Sequence, residues 1–185
     1  AAQIARRSGI ANVTFRQANL LELKLATKYQ LIVSTGVIHH LCDPQLGLKR
    51  VFACLSDGGL MYAWFYHSFG GFQRLLDREL VRLLWGPENS DFPEGVAIVE
   101  DLGLNLSTEQ YGTKTSTPSE RDVSQLSINA DAYLHPIVNA YRFHEIIEMF
   151  RQADADWVAL NGVNLEGTSK LMGLGQVSDL PHLRI

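Results

Sequence analysis

Apolar and polar positions alternate along this chain in a way that predicts strands interleaved with helices. Residues 1–8, rich in Ala and Arg, have the composition of the last turns of a helix, with Gly9 placed as its stop. Asn12 to Gln17 alternates with Val13 and Phe15 on one side, which predicts a strand. A loop over Leu20 to Lys28 follows. Tyr29 to Ser34 is a short apolar run containing β-branched residues, the pattern of a strand buried on both faces of a parallel sheet. Asp43-Pro44 opens a helix, with Asp as N-cap and Pro at the first helical position, and Leu46, Val51, Phe52 and Leu55 are its apolar face. Asp57-Gly58-Gly59 should end that helix and lead into a third strand over Leu60 to Tyr66.

Phe72 to Trp85 has the clearest helical period. Phe72, Leu75, Leu76, Leu80, Leu83 and Leu84 form its expected buried face, and Arg74, Asp77, Arg78 and Arg82 its expected solvated one, with Gly86-Pro87 as the stop. The pattern weakens over residues 88–130, where Ser and Thr crowd Ser107 to Ser127. So long a stretch inside a compact domain implies a lid or an insertion. Pro136 to Gln152 is again helical, with Phe143, Ile146, Ile147 and Phe150 inward, and Asp156 to Val163 predicts a last strand. The tail from Asn164 to Ile185 has no clear pattern. The fold class expected is α/β, with a mostly parallel sheet flanked by helices.

Composition narrows this picture. The 185 residues amount to one domain, and 46% hydrophobic with 19% charged residues is too apolar for disorder. A net charge of −4 argues against nucleic acid or an anionic membrane as partner. No apolar run approaches the ~20 residues of a membrane span, and nothing resembles a signal peptide. Two cysteines, Cys42 and Cys54, make no disulfide framework, so a reducing cytoplasmic setting is expected.

The candidate chemistry lies between Tyr29 and Tyr66. The first buried strand ends in Ser34-Thr35-Gly36, placing hydroxyls and an approachable backbone at the carboxyl edge of the sheet, where open α/β sheets bind ligands. His39 and His40 stand just beyond that edge. The first reading of one of them, His40, is a catalytic base; the bland reading is packing and helix capping. Tyr66 and His67 end the third strand and are candidate substrate contacts. His39, His40 and Cys42 are metal-ligand types, but adjacent histidines seldom point at one ion, and no metal is expected.

These residues resemble the class I S-adenosylmethionine-dependent methyltransferases. After the fourth strand of their fold, that family carries a pattern close to D-hydrophobic-hydrophobic-x-x-G-V-L-H-H-L-x-D-P, then a helix, then L-K-P-G-G. This chain has Gln30 at the Asp position, then Gly36-Val37-Ile38-His39-His40-Leu41, Asp43-Pro44 and Leu55-Ser56-Asp57-Gly58-Gly59. Asp131 to Glu145 is similar to the D-x-[FY]-x-H-P and [YF]-T-x-x-E segments of one branch. The resemblance implies S-adenosyl-L-methionine as cofactor. Asn19 and Leu20 would lie on its adenine side, where an amide serves in place of the usual Asp, and Ser34, Thr35, Gly36 and Val37 along its edge. The acceptor would be a small molecule or a protein, and Tyr133 and His135, in the segment that often closes over the substrate in this family, would contact it.

The family's Gly-rich loop and the acidic residue after its second strand have no counterpart here, and the chain opens at Ala1, without Met, inside a helix. The expectation is therefore a partial class I domain over 1–185: a Rossmann-like sheet missing its first two strands, inactive by itself. Two other classes fit less well. One is a non-catalytic Rossmann-like module using the Ser/Thr-rich segment as an interface. The other is a dehydrogenase, whose fingerprint glycines are equally absent.

Overall fold

The computed structural model describes residues 1–86, 88–104, 118–163 and 169–176. Its elements follow in the order α1 (Ala2–Arg7), a 3-10 turn (Leu20–Glu22), β1 (Tyr29–Thr35), a second 3-10 turn (Ile38–His40), α2 (Pro44–Phe52), β2 (Leu55–Trp64), β3 (Tyr66–His67), α3 (Phe72–Trp85), α4 (Phe92–Asp101), α5 (Pro118–Leu134), β4 (Ala140–Tyr141), α6 (Phe143–Arg151), β5 (Trp157–Val163) and β6 (Ser169–Gln176).

β1 pairs with β2 in parallel, Leu31 beside Leu60 and Thr35 beside Trp64. α2 makes the crossover, as a parallel connection requires. Its start is the expected one: Pro44 sits in the first turn and the Asp43 carboxylate accepts from the Leu46 N–H at 2.9 Å. β3 pairs in parallel with β4, and β5 antiparallel with β6. Mixed α/β architecture with parallel strands is thus observed, as expected.

Several elements differ from the sequence reading. Asn12 to Gln17 is not a strand; Val13 and Phe15 are exposed, and no neighbouring strand pairs with the segment among the described residues. Alternation alone does not make a strand without a ladder to join. β1 is not buried on both faces: Leu31 and Val33 are each 62% exposed, and Ser34 is its buried residue. Gly58-Gly59 does not precede a strand but lies within β2, in the stretch where the pairing jumps from Tyr29–Leu55 to Leu31–Leu60. Gly58 has φ +70°, a conformation glycine adopts without the usual steric cost. The helix expected from Pro136 begins only at Phe143, because Ala140-Tyr141 pairs with β3 first.

The stretch over 88–130 contains two helices, α4 and the start of α5, in place of an unpatterned loop. Most of its Ser/Thr-rich part lies outside the described residues. The tail forms a strand, β6.

α3 has its expected bounds, but a different face is buried. Val81 is fully buried, while Leu76, Leu80, Leu83 and Leu84 are exposed. The inward stripe runs through Arg74, Arg78, Val81 and Trp85, four residues apart or nearly so, which keeps them on one side. Val81 packs with Val99 of α4 and with Ala132, Tyr133 and Leu134 of α5. A second core joins Ile38 and Leu48 to Met149 and Ala153, with Phe52, Met61, Phe65 and Phe150 against it. The turn over Ile38–His40 meets the end of α5 between these two cores.

Candidate functional site

The site is built at the carboxyl ends of β1 and β2. Gly36 leaves β1 at φ +67°, and an added Cβ there would meet no atom within 4 Å, so its backbone faces open space. The chain then turns through Ile38–His40. Ile38 points into the core and His39 is completely buried. His40 is left half-buried at the rim.

Residues from the far end of the chain hold this turn. Asn139 donates its backbone N–H to the His39 carbonyl at 2.9 Å. Its side-chain amide donates to the carbonyls of His39 and Leu41 at 3.0 and 3.1 Å. The Ile137 carbonyl lies 2.7 Å from Nδ1 of His40. A carbonyl can only accept, so Nδ1 carries the proton and the lone pair of His40 is on Nε2.

His39 is wrapped by rings: Tyr66 at 4.1 Å, His40 at 4.2 Å and Trp64 at 5.7 Å between centroids. Neither of its nitrogens makes a hydrogen bond of sound geometry among the described residues, although the Trp64 backbone is near enough to favour the protonated ring. Burial, and then the adjacent His40, push its pKa down to about 4, so it is neutral at physiological pH. The bland reading of a core histidine therefore holds for His39.

His40 and His135 stack with centroids 3.7 Å apart. Nδ1 of His135 accepts from the Ile137 N–H at 3.3 Å. Burial, and then His40, lower the pKa of His135. Arg78 fixes this end of α5. Its guanidinium donates to the Tyr133 carbonyl at 3.2 Å and to the carbonyl of His135, satisfying groups that the helix end leaves open. Arg74 covers the Tyr66 ring at 4.0 Å from its centroid, a cation–π distance.

Of the residues singled out from sequence, His40, Tyr66 and His135 come together, with Tyr133 buried in the helical core behind them. His67 does not join them. It is exposed, and its ring accepts from the Gly70 N–H at 3.2 Å, bracing the turn into α3. Ser34 is buried, while Thr35, Gly36 and Val37 are exposed. Asn19 caps the turn Leu20–Glu22: its Oδ1 accepts from the Leu21 N–H at 3.1 Å, leaving a second lone pair, and its amide donates to Glu22 at 3.1 Å.

The sequence reading missed Asn139, Arg74, Arg78 and Asp131 as parts of the site. Asp131 and His135 carried a signal, since their spacing of four puts them on one side of a helix end. The arginines carried the wrong one, because a stripe of charge reads as a solvated face.

Residues 1–70 match the family model described as a methyltransferase domain. The match bears out the resemblance to the class I S-adenosylmethionine-dependent methyltransferases. An uncharacterized protein of a Synechococcus strain is 29% identical over 138 residues, 71% of this chain. The chain spans about a third, 32%, of that relative's length. Among the described residues no helix is long and apolar enough to cross a membrane.

Proposed function

We propose that this chain is part of an S-adenosylmethionine-dependent methyltransferase acting on a small-molecule or protein acceptor. The single observation that carries the reading is the open carboxyl edge of β1, where Gly36 exposes its backbone at the start of the turn to His40, within the matched domain. Asn19 and Leu20 take the adenine side, Asn19 through the lone pair that its capping bond leaves. Ser34, Thr35, Gly36 and Val37 line the cofactor, Ser34 from beneath. Tyr66 and His135 form the acceptor wall, with Tyr133 supporting it; His67 contributes through the turn it braces.

The remaining strands and the Gly-rich loop belong to an upstream part of the same protein. The exposed apolar side of β1 and β2 supports that reading.

Methyl transfer is an in-line displacement from a sulfonium. Its main requirement is to hold donor and nucleophile close and aligned. When the cofactor is bound, it supplies the methyl group. The chain's own contribution is position and, where the acceptor must lose a proton, the Nε2 lone pair of His40. In the complete protein, His40→Ala should lower methyl transfer from labelled S-adenosylmethionine by about a hundredfold while a cooperative melt is retained. Wild-type rates in a folded variant would return His40 to a packing role.

A further inference from the structure

The end of α5 brings a carboxylate and an imidazole to the imidazole of His40, and neither packing nor methyl transfer calls for that combination. Asp131 lies in the last turn of α5 and His135 immediately follows the helix, so the two point from one side. Across from them, His40 is held by the Ile137 carbonyl, and the carbonyls of His39 and Leu41 on either side of it by Asn139. One ligand atom from each of His40, Asp131 and His135 lies within 4.8 Å of the other two. We propose that His40, Asp131 and His135 form a binding site for a first-row divalent transition-metal cation, with zinc as its representative.

Two imidazoles and one carboxylate are the donor set that borderline cations of this class prefer over magnesium or calcium, which favour oxygen alone. Bonds of about 2.0–2.2 Å set such ligand atoms roughly 3–3.5 Å apart. Rotation of the Asp131 and His135 side chains, the first exposed and the second half-buried, would bring their ligand atoms to that distance while His40 keeps its Nδ1–H bond. His40 already has the supporting arrangement a ligand needs: its Nδ1–H is given to a backbone carbonyl, which fixes the tautomer with Nε2 open.

His135 would surrender one contact. Whichever of its nitrogens takes the cation, its Nδ1 can no longer accept from the Ile137 N–H, a long bond at 3.3 Å. Asp131 supplies the compensating charge against Arg78, which is anchored on the carbonyls just behind. Three protein ligands leave at least one position open to water or to an acceptor heteroatom, the pattern of catalytic rather than structural sites. Occupancy hands the His40 lone pair to the cation, so an acceptor would then be activated by coordination. The inference concerns binding of the cation and does not depend on methyl transfer.

The test is calorimetric titration of zinc chloride into the complete protein at pH 7.5. One-to-one binding is expected, weakened by about tenfold or more in His135→Ala and in Asp131→Asn. Asp131→Asn, on an exposed residue, keeps the test valid should His135→Ala fail to fold. His144→Ala, outside the site, should bind as the wild type does. Cobalt(II) should give visible absorption bands in the wild type that are absent from Asp131→Asn. No zinc binding, equal affinity in Asp131→Asn, or the same loss in His144→Ala would overturn the proposal.

Discussion

His39 and His40 are adjacent, yet the fold gives them opposite duties. His39 is 0% exposed and its pKa is lowered to about 4, whereas His40 keeps one nitrogen tied and one open at the rim. The consequence for stability has a definite sign. Between pH 6.5 and about 4 the unfolded chain binds a proton on His39 that the folded chain does not. Stability contributed by His39 is therefore full above pH 6.5 and lost as pH falls through that window, by roughly 3 kcal/mol in all. The Trp64 backbone and then Asp131 oppose this shift, and Arg74 adds to it. Urea unfolding of wild type and His39→Leu at pH 7 and pH 4.5 should show a smaller acid loss in the variant. Equal losses would show that His39 is not the buried neutral base described here.

The histidine pair was legible as chemistry from the sequence, because two titratable residues follow small residues at a strand end. Which of the two is buried was not legible, since neighbours on a tight turn have no period to read. Arg78 was misread for a different reason. Its guanidinium meets the carbonyls ending α5, a partner far along the chain, and local pattern contains nothing of that helix's position.

Among the elements, β1, β2, α2 and α3 were legible because each has its own local cause: β-branched runs, an Asp-Pro start, a helical period. Their faces were less so. The leucines of α3 suggested the buried side, but α4 and α5 pack on the side of Arg78, Val81 and Trp85. The difference is measurable. Val81→Ala should cost about 2 kcal/mol by removing two buried methyl groups, while Leu83→Gln, at a position 67% exposed, should stay within about 0.5 kcal/mol. Denaturant midpoints of the two variants decide between the faces. A larger loss in Leu83→Gln would restore the original orientation, or would mean that a further part of the protein covers Leu83 in solution.

For the whole molecule, two packed cores meet at the turn over Ile38–His40, and the side of β1–β2 bearing Leu31, Val33, Leu60, Tyr62 and Trp64 stands open. Alternate residues of paired parallel strands line one face, so these five form a continuous apolar surface. The α/β class was legible from the succession of strands and helices. The pairing of β3 with β4 was not, because two-residue strands have too short a pattern to detect.

The central claim is that the edge from Ser34 to Val37, together with Asn19, takes an adenosyl cofactor. Titration of S-adenosylhomocysteine into the complete protein tests it most directly. The account predicts one-to-one binding, weakened by about tenfold in Asn19→Ala through a lost amide contact worth ~1.4 kcal/mol. It also predicts weaker binding in Gly36→Ala, whose methyl group would enter the open space at φ +67°. No binding, or dissociation constants unchanged in both variants, would contradict it.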